Sequence, residues 1–204
     1  MVVGVIGVLI PGLQPQLLGA LLAEAKLSTN ALGLLATAEL LAMGIAAGTA
    51  GLLLSVGRLR LIAAAALMAT AALDLCTPFV SGGGLFAARI AAGLAEGVLI
   101  WIAIGLIVRA RRPERWSGIY LALQTVAQLA LATAMGLAVI PRFGSAGGFT
   151  LLALVTALGL AALPLLPRAY ADLDHGDAAG SALPARGIIA LAGVTLYLAI
   201  IVSE

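Results

Sequence analysis

Residues 85–108 read LFAARIAAGLAEGVLIWIAIGLIV and contain only two charged side chains, Arg89 and Glu96. At a rise of about 1.5 Å per residue, roughly 20 apolar residues of α-helix cross a hydrocarbon core of ~30 Å. Inside a bilayer the backbone must satisfy its own hydrogen bonds, so only a helix or a closed barrel can cross it. This stretch lacks the apolar and polar alternation of a barrel strand. It therefore predicts a transmembrane helix.

Similar apolar runs occupy nearly all of the 204-residue chain, which is 63% hydrophobic and 10% charged. A mean hydropathy of +1.18 lies far outside the range of a soluble domain. The single cysteine, Cys76, excludes an intrachain disulfide. We predict an all-α, polytopic transmembrane helix bundle of about seven spans, at residues 2–23, 31–55, 61–80, 85–108, 118–140, 148–166 and 187–202.

The basic residues predict how the spans are oriented. Eight arginines lie in the loops after the second, fourth and sixth spans, whereas the loops after the first, third and fifth hold only Lys26 and Arg142. Because cytoplasmic loops are enriched in basic residues, we expect the N-terminus to lie in the cytoplasm. The eight are Arg58, Arg60, Arg109, Arg111, Arg112, Arg115, Arg168 and Arg186.

The longest polar segment, RAYADLDHGDAAGSALPAR at residues 168–186, divides the chain. Residues 1–167 form a predicted six-helix unit, and residues 187–204 hold a lone further helix, as expected for the first helix of an incomplete second half. Asp172, Asp174, His175 and Asp177 lie within the segment. With no second ligand cluster and with flanking Ala, Gly and Pro, they indicate a solvated linker and not a metal site.

Four ionisable residues fall within the predicted spans, where unpaired charge is expensive and usually functional. Asp74 and Arg89 lie at nearly matching depth on adjacent antiparallel helices. They predict an ion pair, with either a structural or a gating role. Glu96 follows Arg89 by seven residues on the same helical face and is either a proton-loading group or a hydrogen-bonded packing residue. Glu39 has no partner that the sequence identifies.

Uncharged polar residues supply a second set of candidates. Gln14 lies between Pro11 and Pro15, and Gln124 and Gln128 lie one turn apart on a later span. Each glutamine either faces a substrate or joins two helices by a hydrogen bond.

Pairs of glycines spaced by four residues permit close helix contact, and in a multispanning bundle they usually mark internal packing. The predicted helix-packing pairs are Gly44 with Gly48 and Gly93 with Gly97. In addition, Ser28 is expected, with Thr29 and Asn30, to cap the second span.

Several motifs resemble the N-terminal half of a major facilitator superfamily transporter. In LFAARIAAGLAEG, Arg89 precedes Gly93 by four residues, as do the arginine and glycine of the helix-four motif of that family. The stretch LSTNALGLLATAELLAMGIAAG is similar to family sequences around helix two. The loop VGRLR keeps Gly57 and Arg58 of the motif between helices two and three, while Leu54 stands at the position of its aspartate.

The resemblance implies a secondary active transporter, or the N-terminal portion of one, that moves a small solute across the cytoplasmic membrane by alternating access. Its expected partners are the lipid bilayer, the solute, and either a missing C-terminal half or a second copy. A coupling proton is a further candidate, because the helix-four arginine is associated with proton coupling in many members of the family. The alternative is a non-transporting truncated remnant or a membrane assembly subunit. We expect no enzymatic activity, no cofactor, no metal and no nucleic-acid partner, since the sequence lacks the corresponding clusters.

Overall fold

In the computed structural model, which describes residues 2–171, helix accounts for 86% of those residues and strand for none. The linker residues beyond Ala171 and the predicted span at 187–202 lie outside the described residues. The helices are α1 (Val2–Gly7), α2 (Leu9–Ala23), α3 (Thr29–Leu53), α4 (Leu59–Cys76), α5 (Gly82–Val108), α6 (Pro113–Ala134) and α7 (Ile140–Leu158). Short 3-10 helices at Thr77–Phe79 and Gly159–Leu165 extend α4 and α7, and a π-helical turn at Met135–Val139 joins α6 to α7.

Within the described residues, five helical stretches are long and apolar enough to cross a membrane. They confirm the prediction of an all-helical bundle with helices of membrane-spanning length, for residues 2–171. The count differs from the predicted seven for two reasons. The predicted spans 118–140 and 148–166 fall within one helical stretch that is interrupted only at Gly144, and the seventh lies outside the described part. The five are Val2–Ala23, Thr29–Leu53, Leu59–Phe79, Gly82–Val108 and Pro113–Leu165.

The longest of the five changes direction at Gly144. Its 53 residues would extend ~80 Å as a straight helix, well beyond a bilayer. Gly144 has φ 62° and ψ −155°, which interrupts the helix. A Cβ at this position would also overlap the Glu24 carboxylate. Both the left-handed φ and the close approach require glycine here.

Contacts with α1 and α2 show that the chain reverses at this break. On α6, Tyr120 donates a hydrogen bond to the Gly4 carbonyl and Gln128 to the Val8 carbonyl, so α6 runs parallel to α1 and α2. Beyond the break the order is inverted, with Gly148 packed against Leu17 and Gly159 against Ile6. The segment after Gly144 therefore runs antiparallel to the one before it.

Pro11 accounts for the interruption between α1 and α2. A proline ring clashes with the carbonyl four residues earlier, here that of Gly7, and the helix is broken at Val8. The Gln128 Nε2 atom donates to the Val8 carbonyl oxygen at 2.6 Å. This side chain supplies a donor at the broken turn.

Helices α3 and α5 pack in parallel, backbone against backbone. A Cβ on Gly93 would overlap the Glu39 carbonyl oxygen, and one on Gly97 would overlap the carbonyl oxygen of Met43. Gly44 and Gly48 differ from the expectation of internal packing. They are exposed, and nothing within the described structure lies within 4 Å of where their Cβ atoms would be. Only the second glycine pair brings two described helices together.

Glu24 joins the end of α2 to the break at Gly144. Its carboxylate accepts hydrogen bonds from the Ser145 N–H and, at 2.6 Å, from the Ser145 hydroxyl. Lys26 Nζ lies 2.8 Å from Glu24 Oε2. Partial burial raises the pKa of Glu24, but the hydrogen bonds from Lys26 and Ser145 and the charge of Lys26 outweigh it and lower the pKa to about 2.

We expect Glu24→Gln to lower the free energy of unfolding by about 1–2 kcal/mol at pH 7. A hydrogen bond to a charged group contributes about 1.5–3 kcal/mol, and this side chain is 31% exposed. Because folding lowers the pKa of Glu24, its stabilising contribution to the free energy of unfolding is fully present above the ordinary glutamate pKa of 4.5 and is lost as the pH falls toward about 2. Thermal unfolding in detergent across that window checks this. Glu114→Gln, an exposed matched control, should leave the curve unchanged, and equal pH dependence in Glu24→Gln and the parent would contradict the assignment.

The opposite end of the bundle is rich in arginine. We call residues 56–60, 109–115 and 164–171 the arginine-rich end. Arg60 donates to the carbonyls of Leu166 (2.6 Å) and Pro164 (2.9 Å), which brings the end of the last helix beside the start of α4. Arg109 donates to the Ala171 carbonyl at 3.0 Å and lies over the Tyr170 ring at 4.3 Å. These contacts fix residues 164–171 across the ends of α4 and α5.

Candidate functional site

The structure brings four ionisable side chains from three helices into one buried cluster. Arg89 of α5 lies between Glu39 of α3 and Asp74 of α4, with Glu96 two turns further along α5. All four side chains are at most 1% exposed. We call these residues the Arg89 cluster.

The two terminal nitrogens of the guanidinium bind different helices. Arg89 Nη1 donates to Asp74 Oδ1 at 2.7 Å and lies 3.4 Å from the Thr77 hydroxyl. Arg89 Nη2 donates to Glu39 Oε1. The predicted Asp74–Arg89 ion pair is therefore present, and Glu39 is a second partner of the same guanidinium.

Local packing holds these groups in place. Gly93, one turn after Arg89, allows the α3 backbone to approach α5 at Glu39 itself. Gln14 of α2 donates from Nε2 to the other Glu39 oxygen at 3.0 Å. The Phe149 ring, with its centroid 5.3 Å from the guanidinium carbon, covers the arginine in a cation–π arrangement. Side chains from α2, α3, α4, α5 and α7 thus contribute to one site.

Glu96 is the least satisfied member of the cluster. Its Oε1 lies 3.7 Å from Arg89 Nη2, and neither carboxyl oxygen has a hydrogen-bond partner in the described structure. Asp74 Oδ2 and the Thr70 hydroxyl are likewise buried without a partner there. Buried polar groups are normally hydrogen-bonded, so these atoms are available to a proton, a water molecule or a ligand.

The charges in the cluster do not balance. Three carboxylates face one guanidinium, so the fully ionised cluster would carry a net charge of −2 (one positive, three negative). Burying uncompensated charge is costly. Binding of a proton or another cation would relieve the excess, and this is the chemistry that the arrangement favours.

The predicted glutamines have separate positions. Gln14 belongs to the Arg89 cluster through Glu39, and Gln128 joins α6 to the broken turn at Val8. Gln124 is half-buried on α6. The two loop residues, Gly57 and Arg58, are exposed at the arginine-rich end.

Sequence reasoning missed Thr77 and Phe149 as parts of this site and gave Glu39 no partner. Thr77 follows Asp74 by three residues on the same helical face, so its proximity was readable from spacing. Phe149 comes from α7, 60 positions after Arg89, and only the packed bundle brings it to the guanidinium.

The chain matches no protein-family model, no curated protein and no solved structure. Between residues 2 and 171, no group of three His, Cys, Asp or Glu side chains is arranged to hold a metal ion. The linker residues Asp172, Asp174, His175 and Asp177 lie outside the described part of the chain.

Proposed function

We propose that this chain is a major-facilitator-like secondary transporter, or the N-terminal portion of one, that moves a small solute across the cytoplasmic membrane by alternating access. The observation that carries the proposal is the Arg89 cluster. Ionisable residues within membrane-length helices are costly and typically mark solute, ion or proton pathways. If these residues served only to stabilise the bundle, well-packed apolar side chains at the same positions would stabilise it as much or more.

The course of the chain supports the proposal. The helix reversal at Gly144 allows residues 2–171 to cross a bilayer six times, with the arginine-rich end in the cytoplasm. An even number of crossings places both ends of this unit on the same side. The proposed span at 187–202 would then open a second half, as in transporters built from two repeats.

Within this proposal Glu96 is the proton-loading group. It lies at the edge of the guanidinium contacts and has no hydrogen-bond partner among the described residues. A proton bound to Glu96 removes one of the excess negative charges. When that proton is released, the Glu96 carboxylate again competes with Glu39 and Asp74 for the Arg89 guanidinium. Such an exchange would couple proton movement to a rearrangement of the helices that Arg89 joins.

A solute screen followed by transport measurements tests the proposal. Purified full-length protein is first screened for thermal stabilisation by amino acids, sugars, nucleosides and organic cations. Hits are then assayed in proteoliposomes that contain a pH-sensitive dye. We expect Glu96→Gln to reduce proton-driven accumulation by at least tenfold while solute exchange at equal pH persists, because exchange needs no net proton transfer.

Glu114→Gln is the matched control, since it makes the same change at an exposed carboxyl. It should leave accumulation and exchange unchanged. If no solute stabilised the protein and none was transported, the chain would instead be a non-transporting remnant or assembly subunit. Equal accumulation by Glu96→Gln and the parent would leave transport in place but remove Glu96 from coupling.

A further inference from the structure

An apolar groove runs along one side of the bundle, between α1 and α2, α6, and α7. Its volume is about 320 Å³, and aliphatic side chains and one glycine line it, including Leu9, Leu123, Ala127, Leu131 and Val155. Leu123 is 46% exposed and Leu158, at its rim, is 72% exposed. Within the part of the chain that the structure describes, the groove is therefore open on its outer side.

The α6 side of the groove continues to the arginine-rich end. Leu123, Ala127 and Leu131 recur every four residues, and Trp116 precedes Leu123 by seven, so all four lie on one helical face. Arg112, the residue immediately before α6, precedes Trp116 by four residues. The order along this face is arginine, then an exposed tryptophan, then the apolar groove.

The arginines beside this face are available to a ligand. Arg111, Arg112 and Arg115 are exposed, and none forms an ion pair with another residue in the range 2–171. The one carboxylate in this segment is Glu114. By contrast, Arg60 and Arg109 at the same end are engaged with backbone carbonyls. Three cationic side chains without a described protein partner therefore lie on the arginine-rich side of the groove, with Arg115 eight residues, or about 12 Å of helix, before the first groove residue of α6, Leu123.

We propose that this face binds an anionic phospholipid, with its phosphate on Arg112 and Arg115 and one acyl chain in the groove. Basic residues beside transmembrane helices attract anionic headgroups, and tryptophan prefers the boundary between headgroups and hydrocarbon. The groove supplies the apolar contact that a headgroup alone would lack. The site is separate from the Arg89 cluster and requires membrane embedding, whether or not the chain transports a solute.

Lipid binding to the purified full-length protein tests the headgroup contact. Phosphatidylglycerol and phosphatidylcholine with the same acyl chains are titrated in detergent and followed by native mass spectrometry. We expect phosphatidylglycerol to bind more tightly than phosphatidylcholine. Arg112→Ala combined with Arg115→Ala should weaken phosphatidylglycerol binding by about 30-fold, since each basic residue near an anionic headgroup raises the affinity about fivefold. Arg58→Ala with Arg142→Ala, which removes two exposed arginines that do not lie beside the α6 face of the groove, should change the affinity less than threefold.

A substitution that fills the groove with a larger side chain tests the acyl-chain contact. Ala127→Phe should weaken phosphatidylglycerol binding at least fivefold, whereas Ala122→Phe, which adds the same bulk at an exposed position of α6, should not. Soluble glycerol 1-phosphate should compete poorly, because it lacks the acyl chain. Equal binding of the two lipids, an unchanged affinity in the arginine double variant, or strong competition by glycerol phosphate would overturn the proposal. A dimer that Ala127→Phe dissociates without changing lipid affinity would also overturn it, by assigning the groove to a second copy.

Discussion

Arg89→Leu is expected to lower the free energy of unfolding by about 3–5 kcal/mol, because it leaves three buried carboxyl groups without their shared cation. Glu39 and Asp74 would each lose a direct hydrogen bond. For a chain of this size the change corresponds to a fall in unfolding temperature of about 10 °C. Thermal unfolding of the full chain in detergent measures it.

Two further variants separate charge from packing. Arg142→Leu, which removes an exposed arginine, should shift the unfolding temperature by less than about 2 °C. Arg89→Leu combined with Glu39→Gln, Asp74→Asn and Glu96→Gln removes the excess negative charge and should recover about half of the loss. If the combined variant were no more stable than Arg89→Leu alone, charge imbalance would not be the cause of the destabilisation.

Gly97→Ala is expected to destabilise the protein by about 1–3 kcal/mol through overpacking. The new Cβ would overlap the Met43 carbonyl oxygen and lie 2.7 Å from the Ala46 Cβ. Backbone cannot move aside as a flexible side chain can, so α3 and α5 must separate. The separation would also move α3, which carries Glu39, away from Arg89. Thermal unfolding measures the loss, and solute or proton assays should show whether the Arg89 cluster is disturbed.

Gly44→Ala is the matched control for this change. Gly44 also lies in mid-helix, but no described atom is within 4 Å of the point that its Cβ would occupy, and replacing glycine by alanine there should stabilise the helix by about 0.5–1 kcal/mol. The two substitutions should therefore act in opposite directions. Equal effects on the unfolding temperature would mean that the close contact between α3 and α5 does not depend on Gly97.

Helix positions were largely predictable because the lipid environment imposes a simple rule on the sequence. The start of the first span at Val2 and its end at Ala23 match the structure, and α3 begins two residues before the predicted Ala31, with Ser28 accepting the capping hydrogen bond from the Ala31 N–H at 3.3 Å. The predicted loop at residues 141–147 is instead helical on both sides of one glycine. Composition gave no sign that a single residue would make that reversal.

The site was predictable only in part. Equal depth on adjacent helices correctly indicated that Asp74 and Arg89 form a contact. The short connection between α4 and α5 makes these two helices antiparallel neighbours, so residues at the same depth lie close together. Glu39 could not be assigned, because its contact with Arg89 depends on the parallel packing of α3 against α5, which the glycines allow. The equal spacing of Gly44 with Gly48 and of Gly93 with Gly97 gave no way to tell the exposed pair from the packed one.

By itself the sequence determined that this chain forms apolar helices of membrane-spanning length, because each helix must satisfy its own backbone within lipid. It also identified the charged residues within those helices, since charged residues are rare and costly in helices of that kind. The tertiary structure alone decided which helices approach closely and therefore which charges share the guanidinium of Arg89. Which charges meet depends on the distance between neighbouring helices and on how each helix is rotated about its axis. The sequence periodicity of one helix shows which residues share a face of that helix, but not which face a neighbouring helix contacts.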